Sequence, residues 1–286
     1  MLREIRDLGF EYAELSHGIR ISLVPGILEA VDAGEIKISS LHNFCPLPMG
    51  VMQAAPNLYE FSAESDRDRD LAIRSTHKTL EFASRVRAPL VVLHLGSVQM
   101  KDYTGKLCGI LQRGEKDSAK YGKLRAEAVK ARLAKKEKFF ARTKESLRQI
   151  LPDAETRGIK LGCENRQALE ELPLDEDFKA FLEEFQSQNI AYWHDTGHAQ
   201  IKENMGLIHH AAFLEPLAPR LAGFHLHDVI FPDRDHAAPG SGTIDFAALK
   251  PFAKPEHIKV FELNPSLLPD AAKAGIAHLK KIWGEE

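Results

Sequence analysis

The chain has 286 residues, 44% of them hydrophobic and 28% charged, with a formal net charge of −3. This is the composition of a globular protein, one large α/β barrel or two ordinary domains, and it lacks the basic balance that nucleic-acid binding favours. Three cysteines with no CxxC pair, a charged N-terminus, and no apolar run near the ~20 residues of a bilayer span argue against a disulfide scaffold, a signal peptide and a membrane segment. The expected location is cytoplasmic.

Leu2, Ile5 and Leu8 share a helical face, and Gly9 is placed as the cap ending that helix. Strands are expected at 12–15 and 37–42, with a short helix closing at 29–34. A Pro-containing loop covers 45–56. The spacing then predicts a helix over 65–87, with acidic residues at its start and Arg at its end. The continuous apolar run Pro89-Leu90-Val91-Val92-Leu93-His94-Leu95-Gly96 reads as a strand buried on both faces of a parallel sheet. Residues 101–116 have loop composition, and 118–157 read as one long helix. Its Lys-rich cluster at 130–138 is interleaved with Glu127 and Glu137 and reads as a solvated face. Strands at 158–165, 189–195, 223–228 and 259–263 follow. They are separated by helices at 175–188 and 205–217, a Gly/Pro loop at 232–242, and a short helix at 246–252. The final helix covers 270–283. Strand and helix alternate without hairpin signals, which predicts a parallel sheet with right-handed crossovers in a single domain spanning 1–286.

Polar groups of metal-binding or acid/base type close six of these strands: His42, His94, Glu164, Asp195, His225 and Glu262. In Gly223-Phe224-His225-Leu226-His227-Asp228 the two histidines are two apart, so on a strand they project to the same face. In a closed parallel barrel the carboxyl ends of the strands converge on the face where such folds keep their active sites.

The motifs Leu161-Gly162-Cys163-Glu164-Asn165, His194-Asp195-Thr196-Gly197-His198, Phe224-His225-Leu226-His227-Asp228, the segment 235–245 and Phe261-Glu262-Leu263-Asn264-Pro265 occur in that order. With 40–44 and 91–97 they cover nearly the whole chain, which resembles the xylose isomerase-like TIM-barrel superfamily. That group includes sugar isomerases, ketose 3-epimerases, inosose dehydratases and type IV AP endonucleases. The resemblance implies an α/β (β/α)8 TIM barrel. Seven strands are visible, and the sequence enters partway through a helix. The expectation is therefore a barrel lacking its first strand, with a natural start roughly 20 residues upstream.

By the same resemblance, Glu164, Asp195, His225 and Glu262 would hold one divalent ion. Three carboxylates and an imidazole favour Mn, Mg, Co or Zn over metals that prefer thiolate. His42, His94, Arg166, His198 and His236 would contact substrate; in the endonuclease branch, positions matching His42 and His94 hold a second ion. Trp193, Cys45 and Cys163 read as packing residues.

The reaction implied is a sugar isomerisation or epimerisation by proton transfer through a metal-stabilised enediolate, with Glu164 and Glu262 as the acid/base pair. The partner is then a small sugar, phosphorylated or a polyol, with no membrane; a homo-oligomer is compatible with the sequence. The alternative is a zinc phosphodiesterase acting on abasic DNA. Nucleic acid is the less favoured partner, because the third-metal motif of that branch has Asp where this chain has Arg234.

Overall fold

The computed structural model describes residues 2–284. Its helices are α1 (Leu2–Asp7), α2 (Val24–Asp32), α3 (Asp66–Arg85), α4 (Thr104–Leu111), α5 (Ala119–Leu133), α6 (Lys136–Arg157), α7 (Asp175–Glu184), α8 (Thr196–Asn204), α9 (His210–Leu214), α10 (Phe246–Leu249) and α11 (Pro269–Trp283). The strands are β1 (Tyr12–Leu15), β2 (Lys37–His42), β3 (Leu90–Leu93), β4 (Lys160–Glu164), β5 (Ile190–Asp195), β6 (Leu221–Leu226), β7 (Asp228–Ile230), β8 (Arg234–Ala237) and β9 (Ile258–Phe261). Among the described residues, seven of these strands form one sheet in the order β1-β2-β3-β4-β5-β6-β9, while β7 and β8 pair separately. The pairs β1–β2, β2–β3, β3–β4, β5–β6 and β6–β9 are all parallel. The parallel sheet is as the strand–helix alternation predicts, and the architecture is the α/β TIM barrel that the resemblance implies. Among the described residues, no helix is long and apolar enough to cross a membrane.

The described chain divides into two compact units. One comprises the chain up to Ser97, Lys138–Glu164 and Phe185–Ala191; the other comprises Val98–Glu137, Asn165–Glu184 and the chain from Tyr192 onward. In the first unit β1 to β4 pair in parallel, and Leu15, Leu41, Val91, Val92, Leu93, Leu161 and Cys163 are fully buried. Burying an aliphatic side chain of this kind stabilises by roughly 1.5–3 kcal/mol, which is why a continuous apolar run reads as a strand covered on both faces. Ser65 caps α3 by accepting from the Asp68 N–H, and acidic residues fill the first turn, as the helix dipole favours.

In the second unit β5, β6 and β9 pair in parallel around the buried Tyr192, Trp193, Phe224 and Leu226. Gly223 is required there by close approach. A Cβ at this position would lie 2.4 Å from the Ile258 carbonyl oxygen and 2.5 Å from Trp193 Cζ3.

Four sequence expectations are corrected. Residues 101–116 are not loop throughout, because α4 forms within them. Gly105 and Gly109 weaken its local propensity, but Glu170 accepts from the Tyr103 and Thr104 N–H groups and from the Thr104 hydroxyl, capping the helix from elsewhere in the chain. The long helix over 118–157 is two helices that break at Ala134 and Lys135. Asp177 gathers Arg132 and Lys136 on either side of the break, at 2.9 and 2.6 Å. The stretch 205–217, expected as one helix, instead holds α9 and the start of a 3-10 turn over Glu215–Arg220, where Pro216 and Pro219 withhold backbone donors. Finally, the stretch from 228 to 237 holds the antiparallel β7–β8 hairpin rather than only loop. Smaller differences are that α2 begins earlier than expected and that α7 ends earlier.

Candidate active site

Glu164 closes β4, Asp195 closes β5, His225 is the penultimate residue of β6, and Glu262 follows β9 directly. His42 closes β2 and His94 follows β3. Each sits at the carboxyl end of a parallel strand, where alternation with an apolar neighbour turns a single polar residue out of the core.

In the first unit His42, His94 and Glu164 each offer a ligand atom within 4.8 Å of the others. His94 Nε2 lies 2.8 Å from Glu164 Oε2 and His42 Nε2 lies 3.8 Å from it. The two rings meet edge to face, 4.6 Å apart. Each ring's Nδ1 faces an oxygen, Asn57 Oδ1 at 2.7 Å for His94 and the Asn43 carbonyl at 3.1 Å for His42. With Nδ1 of each ring turned to an oxygen, Nε2 of each ring is left facing the Glu164 carboxylate. Two imidazole nitrogens and a carboxylate oxygen converging where little water reaches form a donor set that could hold a cation.

In the second unit Asp195, His225 and Glu262 each bring one ligand atom within 4.8 Å of the others. His225 Nδ1 is 3.1 Å from Glu262 Oε2 and 3.8 Å from Asp195 Oδ2. Asp195 is also the N-cap of α8: its Oδ1 accepts the His198 N–H at 2.7 Å. Its backbone is gripped by Asn165, whose side chain donates to the Asp195 carbonyl at 2.9 Å and accepts its N–H at 2.7 Å. His198 Nδ1 donates to the Asn165 carbonyl at 3.0 Å and lies 3.5 Å from Asp195 Oδ2. Arg166 is buried rather than exposed. Its Nε donates to Glu171 at 3.0 Å, and its Nη1 lies 3.4 Å from His198 Nδ1. Carboxylate oxygens with an imidazole nitrogen among them form a donor set that fits a hard or borderline divalent cation.

His236 stands on β8 in a left-handed backbone conformation, φ 53°, uncommon for a residue with a side chain and often found at functional sites. Its Nδ1 is 3.0 Å from Asp235 Oδ1 and its Nε2 is 3.7 Å from Glu262 Oε2. Burial opposes its protonation, but bonding to Asp235 and Glu262 prevails and pushes its pKa up to about 10. Burial raises the Asp235 carboxyl and His236 lowers it further, so it ends below its ordinary value.

The sequence reading gave no role to Asn165, Gly197 or His210, and took His227 only as the histidine that projects to the same face as His225. His227 is wholly buried, donates from Nε2 to Asp195 Oδ2 at 3.0 Å, and stacks on His236 with ring centroids 4.4 Å apart. The alternation His225-Leu226-His227 was the signal that could have found it. His210 lies on α9, its Nε2 2.9 Å from His194 Nε2, while His194 Nδ1 accepts from the Tyr192 hydroxyl at 2.7 Å. Trp193, Cys45 and Cys163 are buried, as packing residues should be, and burial pushes the Cys45 thiol well up.

The family model for the xylose isomerase-like TIM barrel matches residues 2–282. The chain belongs to the xylose isomerase-like TIM-barrel family. Solved structures of similar fold include a D-tagatose 3-epimerase-like protein, at TM-score 0.69 and 20% identity over 99% of this chain and 93% of that one. The D-psicose 3-epimerase from Clostridium cellulolyticum, solved with D-tagatose, has a TM-score of 0.67 at 13% identity, covering 99% and 92% of the two chains. A Thermus thermophilus protein soaked with zinc chloride has a TM-score of 0.63 at 19% identity, covering 100% and 93%. No curated protein matches the sequence. For this xylose isomerase-like chain the clusters at the strand ends are thus built on a fold shared along its length.

Proposed function

We propose that this chain is a divalent-metal-dependent sugar isomerase or epimerase, acting on a ketose or a related sugar phosphate or polyol. The observation that carries the reading is the convergence of Asp195, His225 and Glu262 at the carboxyl ends of neighbouring strands. Glu164 is proposed as the fourth ligand. It closes β4 one residue before Asn165, which grips the Asp195 backbone in both directions. The fold shared with the D-tagatose 3-epimerase-like protein and the D-psicose 3-epimerase supports a sugar substrate.

The proposed chemistry follows from the acidic residues. A bound Mn, Mg, Co or Zn ion would supply positive charge beside the sugar's hydroxyl and carbonyl oxygens, lowering the cost of the negative charge left when a proton departs. Glu164 and Glu262 are the proton-carrying pair, on strands separated by two others in the sheet order. One takes the proton from the carbon next to the carbonyl and the other returns one, to the opposite face for epimerisation. His42 and His94 accept sugar hydroxyls through Nε2, and Arg166, His198 and His236 orient the substrate.

A second reading has one specific observation in its favour: the grouping of His42 and His94 Nε2 with Glu164 suits a second cation, as a zinc phosphodiesterase acting on abasic DNA would need. Arg234, where that chemistry would place an acidic ligand, weighs against it. The test is to load the protein with Mn or Co and to assay ketose interconversion and abasic-site cleavage in parallel. Ketose turnover supports the proposal; strand cleavage with no ketose turnover sinks it.

A further inference from the structure

We infer that His227 is a positioning residue: its Nε2–H fixes the Asp195 carboxylate, and its other ring nitrogen ties that carboxylate to the β7–β8 hairpin. The inference rests on the reading of Asp195 as a metal ligand.

The ring is held on every side. The His236 N–H donates to His227 Nδ1 at 2.9 Å, so Nδ1 carries no proton and Nε2 must be the donor towards Asp195 Oδ2 at 3.0 Å. The backbone is anchored as well. Thr196 Oγ1 accepts the His227 N–H at 3.2 Å and donates to its carbonyl at 2.8 Å. Below the ring lies Gly197, where a Cβ would fall 2.0 Å from His227 Cε1, so only glycine admits the imidazole at this depth. Above it the His236 ring stacks at an interplanar angle of 8°.

This arrangement decides between two roles for a histidine placed near His236 and Glu262. A metal ligand presents a lone pair, yet one nitrogen of His227 accepts a backbone N–H and the other donates to a carboxylate. No lone pair is left for an ion, so His227 acts through Asp195. Asp195 then has both oxygens oriented, Oδ1 by the His198 N–H and Oδ2 by His227. The hairpin carrying Asp235 and His236 is registered to the same carboxylate through one ring. Partners of this kind set the direction of a ligand's lone pair, and their loss costs about 10–100-fold in metal affinity.

Two amide substitutions separate the two bonds. In His227→Asn the side-chain oxygen stands where Nδ1 was and keeps the hairpin bond, but nothing reaches Asp195. In His227→Gln the amide nitrogen stands where Nε2 was and keeps the Asp195 bond, but loses the hairpin acceptor. Mn²⁺ binding is measured by titration calorimetry on full-length protein, with thermal melts confirming folding. The Asn variant is expected to bind Mn²⁺ about 10–100-fold more weakly than wild type, and the Gln variant within about 3-fold of it. Hydrogen exchange at the His236 amide should be faster in the Gln variant than in the Asn variant. Equal Mn²⁺ affinities for the two variants overturn the inference. If wild type binds no Mn²⁺, the metal reading itself fails and takes this inference with it. Should neither variant fold, ¹⁵N spectra of the wild-type ring decide: a neutral Nε2–H tautomer is expected, and an Nδ1–H or doubly protonated ring overturns the proposal.

Discussion

Replacing His210 with leucine should change the pH dependence of stability in a direction set by the buried chain Tyr192–His194–His210–Gln200. His210 Nδ1 faces Gln200 Oε1 at 3.3 Å and so carries the proton, leaving Nε2 to accept from His194 Nε2–H. Burial, then the nearby Lys202 charge, push the His210 pKa down from the ordinary 6.5 to about 3. Burial, then His210, hold His194 well below its ordinary value too. A group depressed in the folded state contributes stability that is complete above its unfolded pKa and is lost as pH falls towards its folded one. Between pH 6.5 and 5.0 that loss is about 2 kcal/mol for His210, at ~1.4 kcal/mol per pH unit. At pH 7.5 His210→Leu removes the acceptor of a buried N–H and should cost roughly 1–3 kcal/mol. At pH 5.0 the variant no longer carries the titration, so its deficit against wild type should shrink by about 2 kcal/mol. Urea unfolding of both proteins at pH 7.5, 6.5 and 5.0 measures this. A deficit that is constant or grows as pH falls would refute the reasoning.

Gly223→Ala should lower stability by about 1–3 kcal/mol or more, because its Cβ would meet the Ile258 carbonyl and the Trp193 ring; an unshifted melting temperature would contradict the packing of β6 against β9. Metal content after purification without chelator should be near one ion per chain, unchanged in His94→Ala. Two or three zinc ions, lost in part on that substitution, would favour the phosphodiesterase. Asp195→Ala should abolish tight ion binding, and calorimetry showing it intact would place the ion elsewhere. The cap residue Glu170→Gln should destabilise α4 by about 1 kcal/mol, read as faster amide exchange over Thr104–Leu111.

Much of the fold was legible because it rests on local patterns. The run Leu90–Leu93 is apolar at every position and buried at every position, and Ser65 followed by acidic residues marks the start of α3 as the structure has it. The polar residue closing each strand was legible for the same reason, since it interrupts an apolar run where a parallel strand ends. What escaped depends on partners distant in sequence. The cap of α4 is Glu170, 67 residues beyond Tyr103, and no local signal announces it. The break between α5 and α6 is gathered by Asp177, 45 residues from Arg132. His227 was visible as one of two alternating histidines. Its role, however, is fixed by Gly197 beneath it and by the His236 N–H nine residues on, both contacts that exist only once α8 and the hairpin have folded.

The central claim is a proton transfer carried by acidic residues next to a sugar carbonyl, and solvent exchange tests it most directly. The metal-loaded protein is incubated with a panel of ketoses in D₂O, and deuterium is sought at the carbon beside the carbonyl. Wild type should introduce label. Glu262→Gln keeps one oxygen ligand but loses the basic site, so it should retain its metal while exchange and turnover fall by about 10² or more. Product formed without label, or label undiminished in Glu262→Gln, would contradict the account.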